Sequence, residues 1–366
     1  MRKAVNLDMK LINIFTFIFS ISLIQAQTDT TKAKVTLSGY SEVYYSYDPT
    51  NPSNHKKSDF IFSHNRSNEV NLNLGFIKAN YQTKTVRANM ALMAGTYANA
   101  NLANEPGLLK AVYEANVGIK LSKKRNLWLD AGIMPSHIGF ESAIGKDCWN
   151  LTRSLLADNS PYFETGVKIG FTSNNEKWFL AGLILNGWQR IQRQDGNSAL
   201  ALGHQLTFKP TSKITFNSSS FVGADSPDSV RCMRYFHNFY GQFQLNEKVG
   251  IIAGFDIGIQ QNSKKSASYS TWFSPVLIGK YQLSSRSTVA VRGELFSDKY
   301  QTFFYTGTGN DLELFGYSIN YDLNFSENVV WRIEAKGFSN KTELFNYSEK
   351  PSKHQLFFTS ALAISF

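Results

Sequence analysis

The chain comprises 366 residues, of which 42% are hydrophobic, 14% aromatic and 18% charged, with a formal net charge of +10 and two cysteines. So aromatic and charge-poor a composition excludes an intrinsically disordered chain, and two cysteines exclude a disulfide-built scaffold. A mean hydropathy of −0.26, with the one long apolar run at the N-terminus, excludes a bundle of membrane-spanning helices but leaves open a membrane protein whose apolar residues alternate with polar ones.

The first element is a leader. Arg2, Lys3 and Lys10 precede the apolar stretch Leu11–Ile24, and Ala26 offers a small residue for cleavage before Gln27. The apolar run is about 14 residues, short of the roughly 20 that a spanning helix needs. Residues 1–26 therefore read as a cleaved secretory signal peptide and residues 27–366 as one mature domain.

From Val35 onward the dominant period is two. Val35, Leu37, Val43, Tyr45 and Tyr47 fall on one face, Thr36, Ser38, Glu42 and Ser46 on the other. The alternation recurs with Val70, Leu72, Leu74 and Phe76 against Glu69, Asn71 and Asn73. It returns with Tyr113, Ala115, Val117 and Ile119 against Glu114, Asn116 and Lys120. Ile251, Phe255 and Ile257 oppose Gly250, Gly254 and Asp256, and Phe315, Tyr317, Ile319 and Tyr321 oppose Gly316, Ser318, Asn320 and Asp322. Such strands, about 9 to 13 residues long, exceed the usual 5 to 6 of a globular sheet and match a tilted bilayer crossing.

The connections alternate as well. Tight turns at 82–84, 122–126, 173–177, 210–212, 246–248, 284–287 and 324–328 alternate with longer gaps near 48–68, 98–109, 134–161, 188–197, 223–230, 261–270, 297–310 and 339–352. Short periplasmic turns and long outer loops are the rule of a transmembrane antiparallel up-and-down β-barrel, here of about 16 strands. Mixed faces over 179–185, 214–222 and 272–283 leave 14 or 18 strands open.

A secreted β-sandwich is the competing fold, and three features oppose it. Aromatics gather at strand ends: Tyr81, Phe171, Trp178, Phe208, Tyr281 and Trp331 beside short turns, and Tyr45, Tyr47, Phe163, Trp188, Tyr269 and Phe296 beside long loops. Two such girdles belong to the two membrane interfaces. The polar faces also carry charge in mid-strand, which a sandwich core would not accept. Finally, a closing strand that ends in Phe366 resembles the signal read by the barrel-assembly machinery.

The segments Asp130-Ala-Gly-Ile-Met, Gly139-Phe140-Glu141, Thr152-Arg153-Ser154-Leu155-Leu156, Glu164-Thr165-Gly166-Val167, Leu185-Asn186-Gly187-Trp188 and Val291-Arg292-Gly293-Glu294-Leu295-Phe296-Ser297-Asp298 occur in a characteristic order. In these the chain resembles the OmpL-like outer-membrane β-barrel porins of Gram-negative bacteria. The resemblance implies a porin-like barrel of the outer membrane, but no particular solute.

Inward polar faces make Arg87, Glu114, Lys168, Asp256, Arg292, Glu294, Arg332, Glu334 and Lys336 the candidate lumen lining. Lys78 and His204 fall on the apolar face, the former close enough to a turn to snorkel. In general porins the loop after the fifth strand folds inward, which makes Glu141, Lys146, Asp147, Arg153 and Asp158 constriction candidates; an ordinary outer loop over the mouth is the alternative. Cys148 and Cys232 map to the outer side, where they either bridge or remain free thiols. The six histidines lack metal-ligand spacing, and neither a cofactor nor a catalytic constellation is implied. Expected partners are outer-membrane lipid, lipopolysaccharide facing basic pairs such as Lys56-Lys57 and Lys264-Lys265, the assembly machinery and small hydrophilic solutes, with a homo-oligomer open and nucleic acid excluded. The function expected is a water-filled channel for passive diffusion, with a structural or adhesive barrel of closed lumen as the alternative.

Overall fold

The computed structural model describes residues 33–303, 312–347 and 350–366. The expected signal peptide lies outside the described residues. The first eight strands are β1 Lys34–Tyr47, β2 Val70–Gln82, β3 Val86–Ala94, β4 Val112–Lys120, β5 Asn126–Pro135, β6 Phe163–Thr172, β7 Trp178–Leu185 and β8 Ala201–Thr211. They are followed by β9 Ile214–Gly223, β10 Arg234–Gln244, β11 Val249–Gln261, β12 Tyr269–Gln282, β13 Ser287–Asp298, β14 Leu312–Asn324 and β15 Val329–Asn340. A hairpin of β16 Phe345–Tyr347 and β17 Lys350–Ser352 then leads into β18 His354–Ser365. Two short helices, α1 Thr96–Asn101 and α2 Leu155–Asp158, lie in outer loops.

The strands β1 to β15 and β18 form one closed antiparallel barrel of sixteen, in which each strand pairs with its neighbour in the chain and β18 returns to β1. Closure removes every sheet edge, the condition for a sheet to sit in hydrocarbon. At the seam Gly39 and Phe366 exchange backbone hydrogen bonds of 2.8 and 3.0 Å. The Phe366 ring lies across residue 39, where a Cβ would come within 2.3 Å of it, so a larger residue there would push the terminal ring aside. Outside, Leu37, Ile77, Met90, Val117, Leu277 and Ile319 remain exposed around the wall, as a lipid-facing band demands.

Two β-bulges change the sequence-derived faces. The β1–β2 register shifts at Glu42/Val43, which makes Asn73 the extra residue and turns Leu74 and Phe76 inward, where both are buried. The same shift carries Lys78 inside, where it forms an ion pair with Glu114 instead of snorkelling to an interface. A second shift at Ala91/Leu92 swings Tyr113 inward to stack on Phe76, ring centroids 4.8 Å apart. A one-residue bulge reverses every later side chain of its strand, and alternation alone does not reveal where it falls.

Three supposed girdle residues also belong inside. Phe163 and Phe296 are buried and Trp188 packs edge-on against Phe221 and Phe236, whereas Tyr45, Tyr47, Tyr81, Trp178, Tyr269 and Tyr281 stay exposed on the wall. The mixed faces of β7 and β12 have the same cause, because Leu183, Leu185, Trp272 and Ile278 meet protein in the lumen rather than water. His204 needs no register slip: it projects outward and hydrogen-bonds Ser220, while Ser218 lies 3.2 Å from His237, a polar patch within the apolar band.

Candidate functional site: the lumen and its inward loop

The loop after β5, residues 136–162, enters the barrel and reaches its periplasmic end. Gly132 has φ +125°, and a side chain there would meet the Ala115 carbonyl oxygen at 2.2 Å, so the outer part of β5 accepts only glycine at this step. Beyond Pro135, His137 is clamped between the Glu164 carboxylate (2.6 Å) and the Ser220 carbonyl (2.8 Å). Two acceptors need two ring N–H groups; burial opposes the charge, but the Glu164 contact holds the imidazole pKa above its usual value. At the loop's far point the Lys146 ammonium donates to the Glu327 carbonyl (2.6 Å), in the β14–β15 turn, and to Ser365 Oγ (2.8 Å).

The wall of β13 to β15 holds the loop main chain step by step. Arg332 donates to the carbonyls of Gly145 (2.6 Å) and Cys148 (2.9 Å) while its own partner Asp322 lies 2.7 Å away. Glu334, two residues on, accepts from Thr152 N–H at 2.6 Å, and Lys336 donates to the Arg153 carbonyl at 2.8 Å. On β13, Arg292 donates to the Thr152 carbonyl (2.8 Å) and Glu294 accepts from Leu155 N–H (2.5 Å). The strand period of two thus lays a ladder of alternating charge against successive loop residues. Arg292 lies 3.2 Å from both Glu294 and Glu334 and 4.0 Å from Glu141, and Lys336 3.4 Å from Glu294, so two buried cations are shared among three buried carboxylates.

The constriction candidates play different parts. Arg153 is fully buried and donates to the carbonyls of Ser142, Leu151 and Ala143, all within its own loop, so its charge is not presented to a passing solute. Glu141 accepts from Ser154 N–H at 2.9 Å and from the Ser154 hydroxyl, and Ser154 caps α2. Asp158 is buried beside Ser63 N–H and the Tyr162 hydroxyl, and desolvation pushes its carboxyl up to about 6. Asp147 is exposed, and Lys146 is tied to the periplasmic rim. Cys148 lies buried within the barrel rather than at its outer side, its thiol pushed up to about 11 by burial, and both it and Cys232 are free.

Across the lumen the wall of β2 to β6 is not filled. A polar cavity of about 340 Å³ is lined there by Arg87, Asn89, Glu114, Asp130 and Lys168. Arg87 makes a bidentate contact with Asp130 (2.7 and 2.5 Å) and stacks on Trp128, while Lys78 pairs with Glu114. Lys168 sits opposite Asp130 in register, with no ion pair to a described residue, and because Lys78 already neutralises Glu114 from beside the cavity, Lys168 is the cation left without a counter-charge on this side of the lumen. Asp256 belongs to neither group: it is buried and, among the described residues, accepts only from Asn238.

Sequence reasoning missed the first outer loop, residues 48–69, which also turns inward. His64 lies 2.9 Å from Glu42, and Phe60 packs edge-on against Phe338 and Phe345. The signal was present as Phe60-Ile61-Phe62, an apolar triplet in an otherwise polar loop.

A closed, lipid-banded antiparallel barrel with a long loop folded into its lumen defines an outer-membrane porin. Residues 34–366 match the family described as putative beta-barrel porin-2, OmpL-like, and the chain belongs to that family. No curated protein matches it. Among solved structures it is similar to an anion-selective porin from Comamonas acidovorans, with a TM-score of 0.61 at 8% identity over 92% of this chain and 100% of that one. It is also similar to the outer membrane channel DcaP of Acinetobacter baumannii (0.59, 10%, covering 91% and 97%) and to a trimer form of OmpT of Vibrio cholerae (0.59, 9%, covering 91% and 99%). At these identities the likeness concerns the fold alone.

Proposed function

We propose that the barrel is a narrow, water-filled channel through which small hydrophilic solutes diffuse, and that the route runs between the inward loop and the β2–β6 wall. The observation that carries this reading is the polar cavity beside Arg87, Asp130 and Lys168, on the side of the lumen that the loop leaves unfilled. Its single surplus cation, Lys168, gives a weak preference for anions. The outer part of the lumen favours a second reading, a barrel closed to solute that acts through its loops, because Phe60, Ile61 and Leu155 pack there on Phe296, Phe338 and Phe357. Single-channel recording in planar bilayers separates the two: small, stable conductance steps support the channel, and a silent membrane supports the closed barrel. Liposome swelling with sugars, amino acids and organic acids then identifies the solute class.

Export through a cleaved leader at residues 1–26, insertion by the assembly machinery through Phe366, contact of the outer basic loops with lipopolysaccharide and association into homo-oligomers complete the reading. N-terminal sequencing of the mature protein tests the cleavage, and crosslinking in the membrane tests the association.

A further inference from the structure

The outer mouth holds a cleft of about 650 Å³ between the first outer loop and the last, with Lys57 among its lining residues although that side chain is only 6% exposed. The Lys57 ammonium stands 4.7 Å from the centre of the Phe357 ring and makes no hydrogen bond or ion pair with any described residue. A cation nine-tenths removed from water normally carries a carboxylate partner, and this one has none. Its backbone is fixed by the Lys57 N–H to Asn65 carbonyl bond (2.9 Å) and the Lys56–Arg66 bridge, so the site is built before any ligand arrives. The acid beside it is already engaged: Asp48 accepts from Thr50 N–H and hydroxyl and from Gln355. Asn51 and Asn54 accept through their carbonyl oxygens, and their amide N–H groups donate to no described residue.

We propose that this cleft is a capture site for a small hydroxylated monocarboxylate, with Lys57 as the receptor for its carboxylate and the asparagine amides for its hydroxyls. Lys56 in the same lining is exposed and solvated, so Lys57 is its one buried cation and calls for one negative charge, while Asp48 and Asp59 repel a dianion such as phosphate more strongly than a monoanion. A neutral sugar can accept a hydrogen bond from the ammonium but brings no counter-charge to it. Burial already holds the Lys57 pKa down to about 7, and a bound carboxylate would restore its charged form. The site adds an entry step to the channel reading and rests on it only for the fate of the captured solute.

Calorimetric titration of the detergent-solubilised full chain with D-gluconate, D-glucose and inorganic phosphate tests this without any conductance measurement. Saturable millimolar binding of gluconate is expected, with glucose and phosphate about tenfold weaker or worse. Lys57→Met, which keeps the packing on Phe357, should lose gluconate binding by about tenfold or more, while Lys56→Met should retain it. Glucose binding as tightly as gluconate overturns the proposal, as does unchanged binding by Lys57→Met, which would make Lys57 a structural cation only. Phosphate outbinding gluconate overturns the assigned class in favour of phosphate groups. The wild-type comparison needs no variant to fold, and a silent bilayer with intact gluconate binding would reject the channel reading alone.

Discussion

The walls β13–β15 and β3–β6 carry the same kind of residues and use them oppositely. On the first, Arg292, Glu294, Arg332, Glu334 and Lys336 are buried and spend their hydrogen bonds on the backbone of the inward loop. On the second, Arg87, Asp130 and Lys168 line a cavity. Inward charge in a barrel therefore does not by itself mark a permeation path: where a loop covers it, it fastens the loop, and where nothing covers it, it faces water. The energetic stakes differ accordingly. Removing one member of a buried ion-paired set strands the others at low dielectric, whereas a cavity charge is screened by solvent.

The largest effect should follow Arg292→Ala, which leaves Glu294 and Glu334 short of a cation and the Thr152 carbonyl without its donor. We expect a loss of about 3 to 5 kcal/mol and a larger, noisier conductance as the loop loosens; thermal unfolding in detergent and bilayer recording check both. An unchanged melting temperature and conductance would show that the ladder does not hold the loop. Lys168→Glu should do the reverse, leaving stability within about 0.5 kcal/mol while moving the reversal potential toward cation selectivity. If Lys168→Glu leaves selectivity where it was, the route does not pass the β2–β6 wall.

A smaller effect concerns pH. Asp158 has its folded pKa raised from 3.8 to about 6, so the folded state binds the extra proton. The stabilisation is fully present below about 4 and is lost as pH rises through 6. The difference in melting temperature between wild type and Asp158→Asn should therefore change between pH 4.5 and pH 7.5, and a constant difference would refute the assignment. The mildest probe is thiol labelling. Cys232 should react with maleimide rapidly and Cys148 slowly, because the latter is buried with a thiol pKa near 11. Arg292→Ala should accelerate Cys148 alone.

Much of this architecture was legible in the sequence. The turns and loops alternate in the structure as they do in the residues, because a chain that must cross a bilayer repeatedly can economise only on one side. Lys78 and His204 mark where legibility ended. The first was misread because the bulge at Asn73 is a property of the β1–β2 pairing and leaves no trace in strand composition. The second breaks the apolar face because Ser218, Ser220 and His237 on neighbouring strands partner one another and it, a relation between segments. Segments that carried the family resemblance meet in space: Arg292 and Glu294 hold Thr152 and Leu155, and Glu141 holds Ser154. What looked like scattered motifs is the seam between loop and wall.

By itself, then, the sequence determined a lipid-facing barrel, its strand number to within a pair, and which residues could carry charge inward, since alternation and loop length are local properties. Which of those charges bind the loop and which face the cavity was decided only by tertiary structure. The loop contacts β9, β10, β13, β14 and β15, strands far along the chain from its own position, and its occupancy of one side of the lumen sets the solvent exposure, and so the role, of every charge around it.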